Sequence, residues 1–121
     1  MAATGNQRVS AKSYRDLIIW QEGIILAKAV YELTRGFPRD EMYALCDQMR
    51  RAAVSVPSNI AEGQARRAPA EFSRFLRIAL GSLAEMDTQL VLAQEFRYVS
   101  AEACAPIAER ILQCAERSTL C

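Results

Sequence analysis

The sequence predicts an all-α protein, an antiparallel up-down-up-down four-helix bundle with its second helix kinked at Pro57. Three observations carry that prediction. Apolar residues recur at spacings of three and four along four separate segments. The connections between the segments are a few residues long, which makes consecutive helices antiparallel neighbours. Five Gly and four Pro among 121 residues leave little room for a turn-rich β architecture. The helices are expected at about 14–35, 39–66, 69–96 and 101–117, as one domain over 13–118. Residues 1–12, "MAATGNQRVSAK", lack a signal peptide's apolar core and read as a disordered tail.

In the first segment Leu17, Trp20, Ile24, Ala27 and Tyr31 form one stripe, and Gln21, Lys28, Glu32 and Arg35 lie opposite. Ser13 is a candidate cap, and Gly36 followed by Pro38 is a stop signal. Ile18, Ile25, Leu26, Val30 and Leu33 widen the apolar face beyond one seam, leaving surface for another subunit.

The second helix is expected to begin near Pro38, with Asp40 and Glu41 favouring its positive N-terminal end. Its core positions run Leu45, Met49, Ala52 or Ala53, Val56 and Ile60. That register crosses Pro57 without slipping, so "RRAAVSVPSNIAEGQARR" reads as a bent helix and not a loop. A proline there removes one backbone hydrogen bond and costs about 3 kcal/mol in a straight helix. The Ser55 and Ser58 hydroxyls are placed to bond freed backbone groups. Asn59 with Glu62 resembles a capping box for the resumed helix.

The third helix opens on Pro69 and places Phe72, Leu76, Ala79, Leu83, Met86, Leu90 and Ala93 along one seam of about seven turns. Gly81-Ser82 in its middle marks a place where another helix comes close, because Gly otherwise costs about 1 kcal/mol there. Ser100 caps the fourth helix, whose stripe is Cys104, Ala108, Ile111 and Ala115. Pro106, one turn in, is tolerated near a helix start.

Composition narrows the chemistry. The chain has no His, which removes the commonest general base and the usual zinc ligand. It has no phosphate-cradling glycine loop and no nucleophile elbow. No catalytic residue, metal ligand or cofactor site is assigned, and the chain is read as a non-enzyme. Four Cys without C-x-x-C spacing, and no apolar run of about 20 residues, place it in the cytoplasm without a membrane anchor. Thirteen of its fifteen cations are Arg, a bias that suits carboxylate or phosphate pairing and that a GC-rich genome also produces.

Between residues 50 and 77 stand six arginines, Arg50, Arg51, Arg66, Arg67, Arg74 and Arg77, against the acids Glu62 and Glu71. They are the candidate contacts to RNA or DNA phosphates. Two features oppose that reading. Asp47–Arg51 and Glu62–Arg66 are helical pairs in the favourable order. The patch also lacks interleaved aromatics of the kind single-strand binders use for stacking. The line Gln48, Arg51, Ser55, Ser58 or Asn59, and Glu62 is either a solvated face or an interface.

The segments "DLIIWQEGIILAKAVYELTRGFP", "QMRRAAVSVPSNIAEGQARR", "EFSRFLRIALGSLAEMDTQL" and "EFRYVS" resemble the four-helix bundle proteins related to the 23S rRNA intervening-sequence protein, over about residues 14–117. Arg50, Arg51, Ser55, Pro57, Ser58, Asn59, Glu62, Gly63 and Arg67 match the shared motif, followed by Gly81-Ser82. The resemblance implies a cytosolic, non-enzymatic bundle that forms a homopentameric ring. The family's cousins, the accessory proteins of diversity-generating retroelements, look like basic pentamers that bind nucleic acid and a reverse transcriptase. This sequence departs from the pattern at Ala68-Pro69, where a serine-type cap is common, and in its net charge of only +1. The functional expectation is an oligomeric nucleic-acid-binding or scaffold module. The alternative is a protein-interaction adaptor that recruits a partner enzyme.

Overall fold

The computed structural model describes residues 13–120, so the tail expected at 1–12 and Cys121 lie outside the described residues. Helix α1 spans Ile18–Thr34, α2 Leu45–Ala65, α3 Pro69–Glu95 and α4 Ala101–Thr119, with no strand among the described residues. Each helix packs against the next, and α4 returns to α1. The register is antiparallel: Ser55 of α2 meets Ser82 of α3, and Gly63 further along α2 meets Phe75, earlier in α3.

Two helix starts fall later than the sequence pattern places them. Ser13 Oγ accepts from the Arg15 N–H and caps a short 3-10 turn, Tyr14–Asp16, so α1 begins only at Ile18. Residues Arg39–Glu41 form a second 3-10 turn, and α2 begins at Leu45. Glu41 still serves that helix, because its Oε1 accepts from the Leu45 N–H at 3.1 Å. Ser100 caps α4 as expected, accepting from the Ala103 N–H at 3.1 Å.

The core confirms the α3 seam and corrects the α1 stripe. Leu76, Ala79, Leu83, Met86, Leu90 and Ala93 are buried, with Phe72 half-buried beside them. On α1 the buried residues are Ile19, Gly23, Leu26, Val30 and Thr34, while Ile24 and Tyr31 are 43% and 40% exposed. A helix apolar on most of its circumference leaves its phase undetermined by periodicity. The choice falls to Gly23, whose bare Cα lets α2 come close. In α4 the buried set is Cys104, Ile107, Ile111, Cys114 and Ser118. Burial raises the Cys104 thiol and, aided by the nearby Glu22 charge, pushes Cys114 up to about 11. Both therefore remain protonated packing groups at neutral pH.

Helix α2 carries Pro57 in its interior without losing helical continuity. A methyl at Gly23 would lie 3.3 Å from the Cβ, Cδ and N of Pro57, so glycine and proline define the α1–α2 spacing together. Gly23→Ala is expected to cost about 1 kcal/mol in the native chain and somewhat less on a Pro57→Ala background, which removes the Cδ contact and keeps those to Cβ and N. Urea unfolding of the four proteins checks this coupling. Equal effects of Gly23→Ala in both backgrounds would show that the ring does not set the spacing.

The far end of the bundle is closed by an aromatic clasp. Tyr98 packs tilted against both Phe37 and Phe96, at ring-centroid separations of 5.5 and 5.6 Å. Its hydroxyl donates to Glu41 Oε2 at 2.8 Å, joining the α1–α2 and α3–α4 connections. That hydrogen bond to a carboxylate holds the Tyr98 phenol above its ordinary value.

Candidate nucleic-acid interface

The six arginines do not form one patch. Arg50 and Arg51 lie sixteen and fifteen residues from Arg66 along α2, about 22–24 Å at the helical rise. The group at the α2–α3 turn is built on Phe75. The Arg66 and Arg74 guanidinium groups stand 5.1 and 4.5 Å from its ring centroid. Both also approach Glu71, at 3.7 and 3.5 Å, and Arg66 pairs with Glu62 at 3.0 Å. Arg77 donates to Ser73 Oγ at 3.1 Å, and Arg67 is exposed at the turn with a left-handed backbone, φ 54°.

Higher on α2, Arg51 pairs with Asp47 at 3.0 Å, as the spacing predicts. Arg50 is held differently. Its Nε donates to Thr34 Oγ1 at 2.8 Å, its Nη2 reaches the Tyr31 carbonyl at 3.5 Å, and its guanidinium lies 4.7 Å from the Tyr31 ring centroid. The Thr34 hydroxyl in turn donates to the Val30 carbonyl at 2.8 Å, so a buried α1 residue fixes an α2 cation. Among the described residues Arg50, Arg67 and Arg77 have no carboxylate partner. All four ion pairs within the set are at least partly exposed, where such pairs contribute about 0–1 kcal/mol each.

The polar residues around Pro57 do not play the parts expected of them. Ser55 bonds Ser82 on α3 and pins the two helices together. Asn59 is not a cap: its Nδ2 donates to the Ser55 carbonyl at 2.7 Å, within one continuous helix. Ser58 is exposed and lines a shallow apolar hollow with Trp20, Ile24, Val54, Pro57 and Ala61. Glu62 is occupied by Arg66. The helix approach expected at Gly81-Ser82 is made by Ser82, and the tight glycine contact between α2 and α3 lies at Gly63. A methyl at Gly63 would meet Phe75 Cβ at 2.7 Å, whereas one at Gly81 would meet nothing within 4 Å.

The model of the 23S rRNA-intervening sequence protein family matches residues 15–118. The chain belongs to this family. Among solved structures it is similar, at a TM-score of 0.77 and 19% identity, to a Bacteroides thetaiotaomicron protein of unknown function from the S23 ribosomal protein family. The likeness covers 84% of this chain and 92% of that one, and it shows the fold. No curated protein sequence matches the chain.

In this intervening-sequence family member, Tyr31, Thr34 and Phe75 are the site residues that sequence reasoning missed. Tyr31 and Thr34 belong to α1 and reach Arg50 only through the antiparallel register that Gly23 and Pro57 set. Pairing Gly23 with Pro57 and counting eight residues up α1 and down α2 brings Tyr31 level with Met49, next to Arg50, a signal available once that contact is known. Among the described residues no three His, Cys, Asp or Glu side chains group together, and no helix is long and apolar enough to cross a membrane.

Proposed function

We propose that this protein is a non-enzymatic, cytoplasmic, homopentameric four-helix bundle that binds nucleic acid through α2 and the start of α3. The observation that carries the reading is the trio Arg50, Arg67 and Arg77, each without a carboxylate partner among the described residues. Membership in a family described by a 23S rRNA intervening sequence supports RNA as the ligand to try first. Ile18 and Ile25, 55% and 46% exposed one heptad apart on α1, support assembly through that flank.

Three unpaired cations predict a modest salt dependence, with log affinity falling at a slope of about −2 to −3 against log salt. Fluorescence anisotropy with structured RNA and with duplex DNA measures it. The Arg67→Asn, Arg77→Ala double variant is expected to flatten the slope by about 2. No binding at about 50 mM salt, or an unchanged slope in the variant, would overturn the reading. Light scattering at five times the 13.5 kDa chain mass checks the assembly.

A second reading is favoured by the pairs Arg51–Asp47, Arg66–Glu62 and Arg74–Glu71, which occupy half of the six arginines. In it the bundle is an adaptor for a partner enzyme, and a stoichiometric protein partner copurifies without nucleic acid.

A further inference from the structure

Between α1 and α2 an open hollow of about 610 Å³ is lined by Tyr31, Asp47, Arg50, Arg51, Val54 and Ser55. We propose that this hollow seats one unpaired nucleotide of a single-stranded nucleic acid, with the phosphate on Arg50 and Arg51 and the base against Tyr31 and Val54. The proposal rests on the nucleic-acid reading above and assigns it a place and a strand form.

Three properties of the hollow carry it. First, the Arg50 fork is fixed before any ligand arrives, by Thr34 Oγ1, the Tyr31 carbonyl and the Tyr31 ring. Its Nη1 has no partner among the described residues, so an oxyanion gains a charge-assisted hydrogen bond with little ordering of the side chain. Second, Arg51 stands beside it with only its Nε engaged, by Asp47, which leaves both terminal nitrogens for a second oxygen. The same ion pair masks the one carboxylate of the hollow from an incoming phosphate. Third, Tyr31 and Val54 are 40% and 44% exposed, a ring and an aliphatic group next to two guanidinium groups. Cation and aromatic side by side is the pairing by which proteins hold splayed bases.

Strand form follows from shape. A duplex offers phosphates on a convex surface and keeps its base faces stacked. Only an unpaired nucleotide can bring a phosphate and a base face into one hollow between two helices. The turn cluster lacks this arrangement, since Phe75 is buried beneath Arg66 and Arg74.

The test titrates the full chain with a fluorescein-labelled oligouridylate of about a dozen nucleotides and with an RNA duplex of the same length, at about 50 mM salt. Tyr31→Leu is expected to weaken single-strand binding about tenfold and to leave duplex binding unchanged. Arg50→Lys, which keeps the charge but loses the fork, is expected to weaken the single strand severalfold. Arg77→Ala, outside the hollow, is expected to weaken both probes alike. Circular dichroism melting confirms that each variant is folded, and Arg50→Lys carries the test if Tyr31→Leu is not. Single-strand binding untouched by Tyr31→Leu and Arg50→Lys but weakened by Arg77→Ala would overturn the seat and leave nucleic-acid binding standing. Failure of the native chain to bind either probe would overturn both.

Discussion

Replacing Gly63 by alanine is expected to destabilise the bundle by about 2 kcal/mol, although the same change in an exposed helix interior gains about 1 kcal/mol. The added methyl would lie 2.7 Å from Phe75 Cβ, 3.2 Å from Phe72 Cδ1 and 3.4 Å from Phe72 Cα. A Cβ and a Cα cannot rotate aside, so α2 and α3 would have to separate and loosen the seam that follows. Gly81 provides the contrast on the same pair of helices. Nothing lies within 4 Å of a methyl there, and Gly81→Ala is expected to stabilise by up to about 1 kcal/mol. Thermal unfolding followed by circular dichroism separates the two. A Gly63→Ala chain as stable as the native one would mean that the α2–α3 approach is not tight. A destabilised Gly81→Ala chain would mean that a second copy packs on that flank.

Leu26→Ala is expected to cost about 3 kcal/mol, while Ile24→Ala, two residues earlier on the same helix, costs less than about 1 kcal/mol. Leu26 is 1% exposed and sits in the shared core, whereas Ile24 borders the open groove beside α2. The comparison tests which face of α1 is inside, the point on which the sequence pattern and the structure disagree. Urea denaturation midpoints at constant m-value give both numbers. Equal costs at the two positions would restore the stripe running through Ile24.

How much was legible in the sequence depends on how one-sided each segment is. Helix α3 has an apolar seam facing an otherwise polar surface over most of its length, and its range and core residues follow directly from spacing. Helix α1 is apolar nearly all round, so its existence was legible and its phase was not. The start of α2 was obscured because Asp40 and Glu41 carry the signature of a first helical turn while acting from a 3-10 turn ahead of it. The arginine pairs four apart were legible because a single helix contains both partners. Tyr31 beside Arg50, Ser55 against Ser82 and Gly63 against Phe75 each join two helices, and periodicity within one segment carries no information about them. The glycines show the limit most clearly. Mid-helix Gly81 draws the eye by position, yet the contact belongs to Gly63, near the end of its helix, where a glycine reads as ordinary.

The left-handed backbone at Arg67 has a consequence for how substitutions there behave. At φ 54° only glycine, and to a lesser degree asparagine or aspartate, is at ease, and a β-branched residue is under strain. Valine at 67 would therefore disturb the turn that aims α3, and a loss of binding would mix geometry with charge. Asparagine removes the guanidinium and leaves the chain path alone. Arg97, φ 64° at the end of α3, has the same backbone without belonging to the basic set. It is the natural reference: what an Arg97→Val change does to stability shows what a β-branched residue costs at such a bend, apart from the loss of any cation of the basic set.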